Sequence, residues 1–350
     1  MIGRMSSRIS QNESVDLAGS VWPHRWAWVL ACGVFPLIWI GGLVTTYEAG
    51  MSVPDWPTTF GSWFYPLQKW LYTISEKSLE HSHRTIAQID GIIFIILAIA
   101  IWRWEPRKAV RWLAVAILIA LISQAVLGGY RVRLNDRVLA RIHGCAAPLV
   151  FALCTAMTSV TSGAWRGWGK RIANPAARTV RQLALAICCG LYAEIVLGAQ
   201  FRHPLPDVNP DLSLIVVWLK VSIAAFLVTA VIYLLVIVPG QLREVQPLVR
   251  RVKLLAFLYC LQLALAVCTW VSNFGWPRLF TDNVAAMKYT VVENGRLQVW
   301  ATTAHAAVGS LCFVAALSLT MWSYRLLRTD SADGEGSPHP NPLRKGEGTY

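Results

Sequence analysis

The stretch "SLEHSHRTIAQID", Ser78 to Asp90, gathers a carboxylate, two imidazoles and a guanidinium into Glu80, His81, His83 and Arg84. A neutral imidazole can ligate a metal, and a carboxylate can take a proton or stabilise a developing positive charge. Helical spacing sorts the four. Glu80, His83 and Arg84 fall at i, i+3 and i+4 and share a face, and Asp90 continues their stripe. His81 stands about 200° from His83 at roughly 100° per residue, so both cannot point at one centre. The plainer reading is a surface ion pair of Glu80 with Arg84, worth roughly a few tenths of a kcal/mol.

The elements that would carry this cluster are apolar. Of 350 residues, 55% are hydrophobic and only 15% are charged. The apolar residues form eight blocks, near Trp26–Tyr47, Thr85–Trp102, Trp112–Tyr130, Val138–Ser159, Leu183–Phe201, Leu214–Val238, Leu254–Phe274 and Val299–Leu327. A bilayer needs about 20 such residues per span, and a backbone in hydrocarbon must satisfy itself as helix. The expected fold is therefore an all-α polytopic membrane protein with eight transmembrane helices in a lipid bilayer.

A net charge of +13 invites a nucleic-acid partner, but its distribution argues against one. Twenty of the 32 Lys and Arg fall in the two tails and the 2–3, 4–5 and 6–7 connections, which places both termini in the cytoplasm. Arg131, Arg133, Arg137 and Arg141 crowd the outer 3–4 connection against that trend. Residues 1–20 lack the apolar core of a signal peptide. The eight cysteines all fall in the apolar blocks, with no zinc-like spacing, and read as packing residues.

A polar, basic segment, Gly163–Thr179, divides the blocks four and four. "QAVLGGYRV" from Gln124, "EIVLGAQFRH" from Glu194 and "QLALAVCTWV" from Gln262 are related phrases. Two similar four-helix bundles are the simplest account, spanning residues 25–162 and 181–328, with a cytoplasmic tail at 1–24 and a linker at 163–180. The Gly- and Pro-rich tail at 329–350 is expected to be disordered.

With both termini inside, every even-numbered span begins on the outer side. His83, His143 and His305 then lie a few residues into spans 2, 4 and 8 at one depth. Imidazoles on facing helices can bind a haem iron from opposite sides; the alternative is that they hydrogen-bond carbonyls across helices. His24 reads as interfacial, and His203 as a loop or haem-edge residue. Arg84, Arg131 and Arg133 lie where haem propionates could be paired, or where lipid headgroups would be contacted.

At these residues the sequence resembles the haem A synthase family. The matching stretches are "GGLVTTYEAGMSVPDWPTTFG" (Gly41–Gly61), the E-x-x-H-R element Glu80–Arg84, "QAVLGGYRV" with "ARIHG" (Ala140–Gly144), and "TTAHAAVGS" (Thr302–Ser310). The resemblance implies a haem O substrate in the N-terminal half, held by His83 and His143 beside the essential acid Glu80. It implies a haem b cofactor in the C-terminal half with His305 as one ligand. The implied reaction oxidises the C8 methyl of haem O to the formyl of haem A, for terminal oxidases. Haem O synthase and an electron donor are the implied partners, and the bacterial plasma (inner) membrane the implied location. The loop around Pro54–Pro57 would cover the outer mouth, with Trp56 and Trp63 against the macrocycle or at the interface.

Two departures stand out. Span 6 should carry a fourth histidine, yet "SLIVVWLKVSIAA" offers Leu219 or a neighbour. The paired outer-loop cysteines of many relatives are missing. The rival readings are a haem-binding oxidase-assembly factor without catalysis and a membrane cytochrome b that carries electrons.

Overall fold

The computed structural model describes residues 20–62, 76–203, 210–276, 291–292 and 295–329. Eight long helices make up most of them: α1 (Trp22–Thr46), α2 (Glu76–Trp104), α3 (Lys108–Leu134), α4 (Arg137–Thr161), α5 (Ala177–Arg202), α6 (Pro210–Gln241), α7 (Gln246–Phe274) and α8 (Arg296–Leu326). Each is long and apolar enough to cross a bilayer, so the expected all-α membrane class holds. The helices outrun the apolar blocks. Helix α2 starts at Glu76, well before the apolar run that begins near Thr85, and so carries Glu80, His83 and Arg84 on helical backbone.

Helix α1 packs on α2 and α4, α3 on α4, α5 on α6, and α7 on α6 and α8. Helix α8 also touches α5, α1 and α4. It is the central element: 61% of its apolar window is buried, against 28% or less in every other span. Its Ala-, Gly- and Ser-rich stretch from Ala304 to Ser310 permits that enclosure, because small side chains let neighbouring backbones approach. Large apolar residues such as Trp218, Val236 and Phe257 are exposed on outer faces, where lipid would cover them.

Local signals fix the α3–α4 hairpin that carries His143. Asn135 ends α3 in the left-handed region at φ 49°, a conformation its short polar side chain tolerates. Asp136 then caps α4, its Oδ1 accepting from the amides of Val138 (2.6 Å) and Leu139 (3.1 Å).

The segment between α4 and α5 is not a loose divider. Ser162 caps a short turn, Gly163–Gly167. Trp165 packs edge-on against Trp322 of α8 at 5.2 Å. Arg325 donates to the carbonyls of Trp165 and Trp168, and strand β1 (Ile172–Ala173) pairs in parallel with β2 (Leu327–Arg328). The cysteine expectation needs a correction. All eight are free, but only Cys154, Cys188 and Cys312 are buried, while Cys32, Cys189, Cys260 and Cys268 are exposed. Packing therefore accounts for part of the set.

A second fastening joins α2, α3 and α4 at the opposite end from the histidines. Glu105 is 2% exposed and holds Arg107 through two contacts of 2.7 Å. Arg107 also donates to the Val160 carbonyl. Burial alone would raise the Glu105 carboxyl, but the hydrogen bonds and charge of Arg107 outweigh it and hold the group below the usual range. Its stabilisation is thus present above the ordinary glutamate value of about 4.3 and is lost as pH falls through the lower folded value. Glu105→Gln should cost about 1–2 kcal/mol, below the value for a fully buried pair because Arg107 is partly exposed. Thermal unfolding in detergent should show a lower midpoint at neutral pH, and the difference from wild type should shrink toward acidic pH.

Candidate functional site

Glu80 and Arg84 form a buried clasp, which corrects the surface-pair reading. Glu80 is 2% exposed, and its Oε1 accepts from Arg84 Nη2 at 2.6 Å. Its Oε2 accepts from the Val53 amide at 2.9 Å and the Ser52 hydroxyl at 3.2 Å. Arg84 donates in addition to the carbonyls of Val53 (3.0 Å), Asp55 (2.6 Å) and Thr58 (2.9 Å). One ion pair, a helical turn apart on α2, thereby ties the Val53–Thr58 loop to the helix.

The rest of that loop closes on Asp55. Its carboxylate accepts from the Thr58 hydroxyl and from the amides of Phe60 (2.8 Å) and Gly61 (2.9 Å). Phe60 and Gly61 both adopt positive φ, 50° and 75°, a bend that glycine makes cheap at the second position. Burial pushes the Asp55 carboxyl up, but Thr58 and the two amides together bring it below the ordinary value. Trp56 turns inward against Gly129 of α3, where any side chain would overlap the indole. Trp63 lies outside the described residues. His81 faces this loop, near the Thr59 hydroxyl, and does not join His83.

His83 and His143 meet across the helices. Their ring centroids are 6.5 Å apart and their planes are inclined by 84°. Two imidazoles bound to one metal at about 2 Å each place their ring centres about 6 Å apart, so the gap admits a shared metal atom. Both rings need glycine beside them. A Cβ on Gly41 would stand 2.9 Å from His83 Cε1, and one on Gly128 would stand 3.1 Å from His143 Cε1. Nδ1 of each ring is buried without a hydrogen bond of normal geometry. A backbone carbonyl nonetheless stands within weak reach of each, Leu37 for His83 and Gln124 for His143. Were such a carbonyl to take the Nδ1 proton, Nε2 would keep its lone pair.

Cations surround this pair. Arg131 lies close to both histidines and to Glu80, and its guanidinium lies against Gly50. Arg133, two positions on, is exposed and turned away. Arg202, at the end of α5, donates to the Gly42 carbonyl (2.8 Å) and the Thr46 hydroxyl (2.9 Å) of α1. Arg141 donates to the His203 carbonyl at 2.6 Å. His203 follows α5, and burial, then Arg202, Arg131 and Arg141, push its imidazole down to about 4. It is therefore neutral in an electropositive mouth. Sequence reasoning missed Arg202; the basic residue closing the apolar run of "EIVLGAQFRH" was its signal.

His305 belongs to a separate set on α8. The Gln262 carbonyl, Lys220 and Arg202 are its neighbours, and its Nδ1 is also buried without a normal hydrogen bond. In span 6 Leu219 is 46% exposed on the outer face. Lys220 turns inward instead, with Nζ 2.6 Å from Glu194 Oε2.

Among the described residues no group of three or more His, Cys, Asp or Glu side chains converges on one point. Two opposed imidazoles suit a metal that brings its own equatorial ligands, and the arginines suit acidic groups at its edge. Fold and site thus define a polytopic helical membrane protein with a pair of imidazoles facing each other between α2 and α4. Residues 24–204 match the family model of the COX15-CtaA cytochrome oxidase assembly proteins, and the chain belongs to that family. It is 29% identical over 168 residues to the haem A synthase of Bacillus licheniformis, covering 47% of this chain and 53% of that protein. Against the haem A synthase of Halalkalibacterium halodurans it is 29% identical over 180 residues, 49% of this chain and 56% of that one. Against that of Hyphomonas neptunium it is 21% identical over 204 residues, 51% and 58%. The matched region spans about half the length of these curated relatives.

The clasp makes a direct prediction. Arg84→Gln removes the ion pair and weakens the hold on three loop carbonyls, so the Val53–Thr58 loop should come free of α2. Limited proteolysis of the detergent-solubilised protein should cut there severalfold faster than in wild type, with the helices left intact.

Proposed function

We propose that this protein is a haem A synthase-like oxidoreductase that oxidises the C8 methyl of haem O to a formyl group. The observation that carries the reading is the His83–His143 pair, 6.5 Å between ring centroids, with the buried Glu80 carboxylate on the same face of α2. Haem O is the substrate, held by those two imidazoles between α2 and α4. Arg131 pairs a propionate; Arg133, exposed, takes no part. Arg84 acts on the loop, because its donors are already committed to it.

Two successive two-electron oxidations convert the methyl, with water supplying the oxygen. The first removes two electrons and a proton, and water adds to the cationic carbon to give the alcohol. The second gives a geminal diol that loses water to leave the formyl group. These steps release electrons, so they call for an electron acceptor in the membrane in place of the electron donor that the resemblance implies. Glu80 stabilises the cationic carbon or takes the proton lost as water adds. Its own hydrogen bonds to Ser52, Val53 and Arg84 hold the carboxylate in one orientation and keep the loop over the site. The two halves are similar four-helix units, and both termini face the cytoplasm of a bacterial inner membrane, with the site on the outer side.

A second reading, a haem-holding oxidase-assembly protein without catalysis, is favoured by the Lys220–Glu194 pair, which stands where the family would hold a cofactor ligand. Pigment extraction separates the two. Wild type should contain haem O with hydroxylated forms or haem A, whereas the second reading yields unmodified haem alone. Glu80→Gln should keep bound haem near the wild-type level while formyl formation falls at least tenfold; normal haem A in that variant would remove Glu80 from catalysis. Arg131→Gln should lower retained haem severalfold, and Arg133→Gln should leave it unchanged.

A further inference from the structure

Each ligand-bearing helix meets its neighbour in the same way. In α1, Leu37 and Gly41 stand four residues apart; the Leu37 carbonyl reaches His83 and Gly41 makes room for its ring. In α3, Gln124 and Gly128 do this for His143. In α7, the Gln262 carbonyl reaches His305, and Ala266 stands four residues on. In α5, the corresponding residues are Glu194 and Gly198. The Glu194 carbonyl accepts from Lys220 Nζ at 3.2 Å, and a Cβ on Gly198 would stand 3.7 Å from that nitrogen. A small residue also follows each of the four at the fourth position: Ala87, Ala147, Ala224 and Gly309. Lys220, not Leu219, therefore holds the fourth ligand position.

We propose that the C-terminal half does not take a doubly ligated haem, because Lys220 and Glu194 have turned its fourth ligand position into an ion pair. An ammonium has no lone pair for iron. To ligate, Lys220 would have to give up its proton and its partner at 2.6 Å, leaving an unpaired carboxylate within the span. Glu194 occupies the place that Gln124 and Gln262 hold in the related phrases, so both members of the ion pair depart from the pattern of their counterparts. The His305 imidazole is left as the sole histidine of that set.

The inference rests on the axial-pair reading of His83 and His143, and the test keeps the two separable. The full chain is purified in detergent and haem per chain is measured, with optical and electron paramagnetic spectra. Wild type should hold about one low-spin haem per chain, lost in His83→Ala. The double variant K220H/E194Q, which supplies the histidine of the other three sets and the glutamine of two of them, should gain a second low-spin haem, to about two per chain. A folded K220H/E194Q that keeps the first haem and gains none would overturn the proposal. So would a wild type with two low-spin haems, the second lost in Lys220→Met because the amine ligates; a second haem that is high-spin and kept in Lys220→Met is held by His305 alone and supports the proposal. If the axial-pair reading alone is wrong, wild type holds no haem while K220H/E194Q still acquires one.

Discussion

A polar ring inside a membrane bundle needs room and a partner, and in this molecule the preceding helix supplies both. Gly41 and Gly128 leave space that even a methyl group would fill, and carbonyls four residues earlier face the rings of His83 and His143. An unpaired polar group in hydrocarbon costs several kcal/mol, so this supply decides where an imidazole can stand at all. It also aims the ring: a carbonyl near Nδ1 leaves Nε2 directed across the helix pair. The 6.5 Å separation of the two rings follows from helix packing rather than from any contact between them.

The same economy governs the loop above the site. Glu80 and Arg84 are one turn apart on α2, and between them they answer two donors and three carbonyls of the Ser52–Thr58 segment. A carboxylate buried this deeply is tolerable because both its oxygens face donors, one of them a guanidinium. Its position one turn from His83 is thereby fixed, which is what the proposed electrostatic role would demand of a charged group. The loop and the proposed chemistry share one residue, Glu80.

Four helix pairs, α1–α2, α3–α4, α5–α6 and α7–α8, apply one packing rule to different chemistry. Three of its four instances hold a histidine and one holds a lysine. The lysine brings with it a carboxylate where two of its three counterparts, Gln124 and Gln262, have amides. A single histidine-to-lysine change in such a setting would bury an uncompensated cation; the paired change does not.

Much of this was legible in the chain. Apolar block length alone fixes eight helices, because hydrocarbon admits no other backbone for them, and helical spacing alone separates His83 from His81. The related phrases beginning at Gln124, Glu194 and Gln262 mark the residues whose carbonyls face His143, Lys220 and His305. Burial and direction were not legible. Whether Glu80 and Arg84 pair on the surface or clasp a loop depends on residues 26 to 31 positions earlier folding back onto α2. The choice between Leu219 and Lys220 depends on which face of α6 meets α5, and an all-apolar helix carries no periodicity to announce it. Arg131 turns in and Arg133 turns out for the same reason. Composition and spacing determine which helices form and which residues share a face; only packing decides which face looks inward, because that depends on the partner helix.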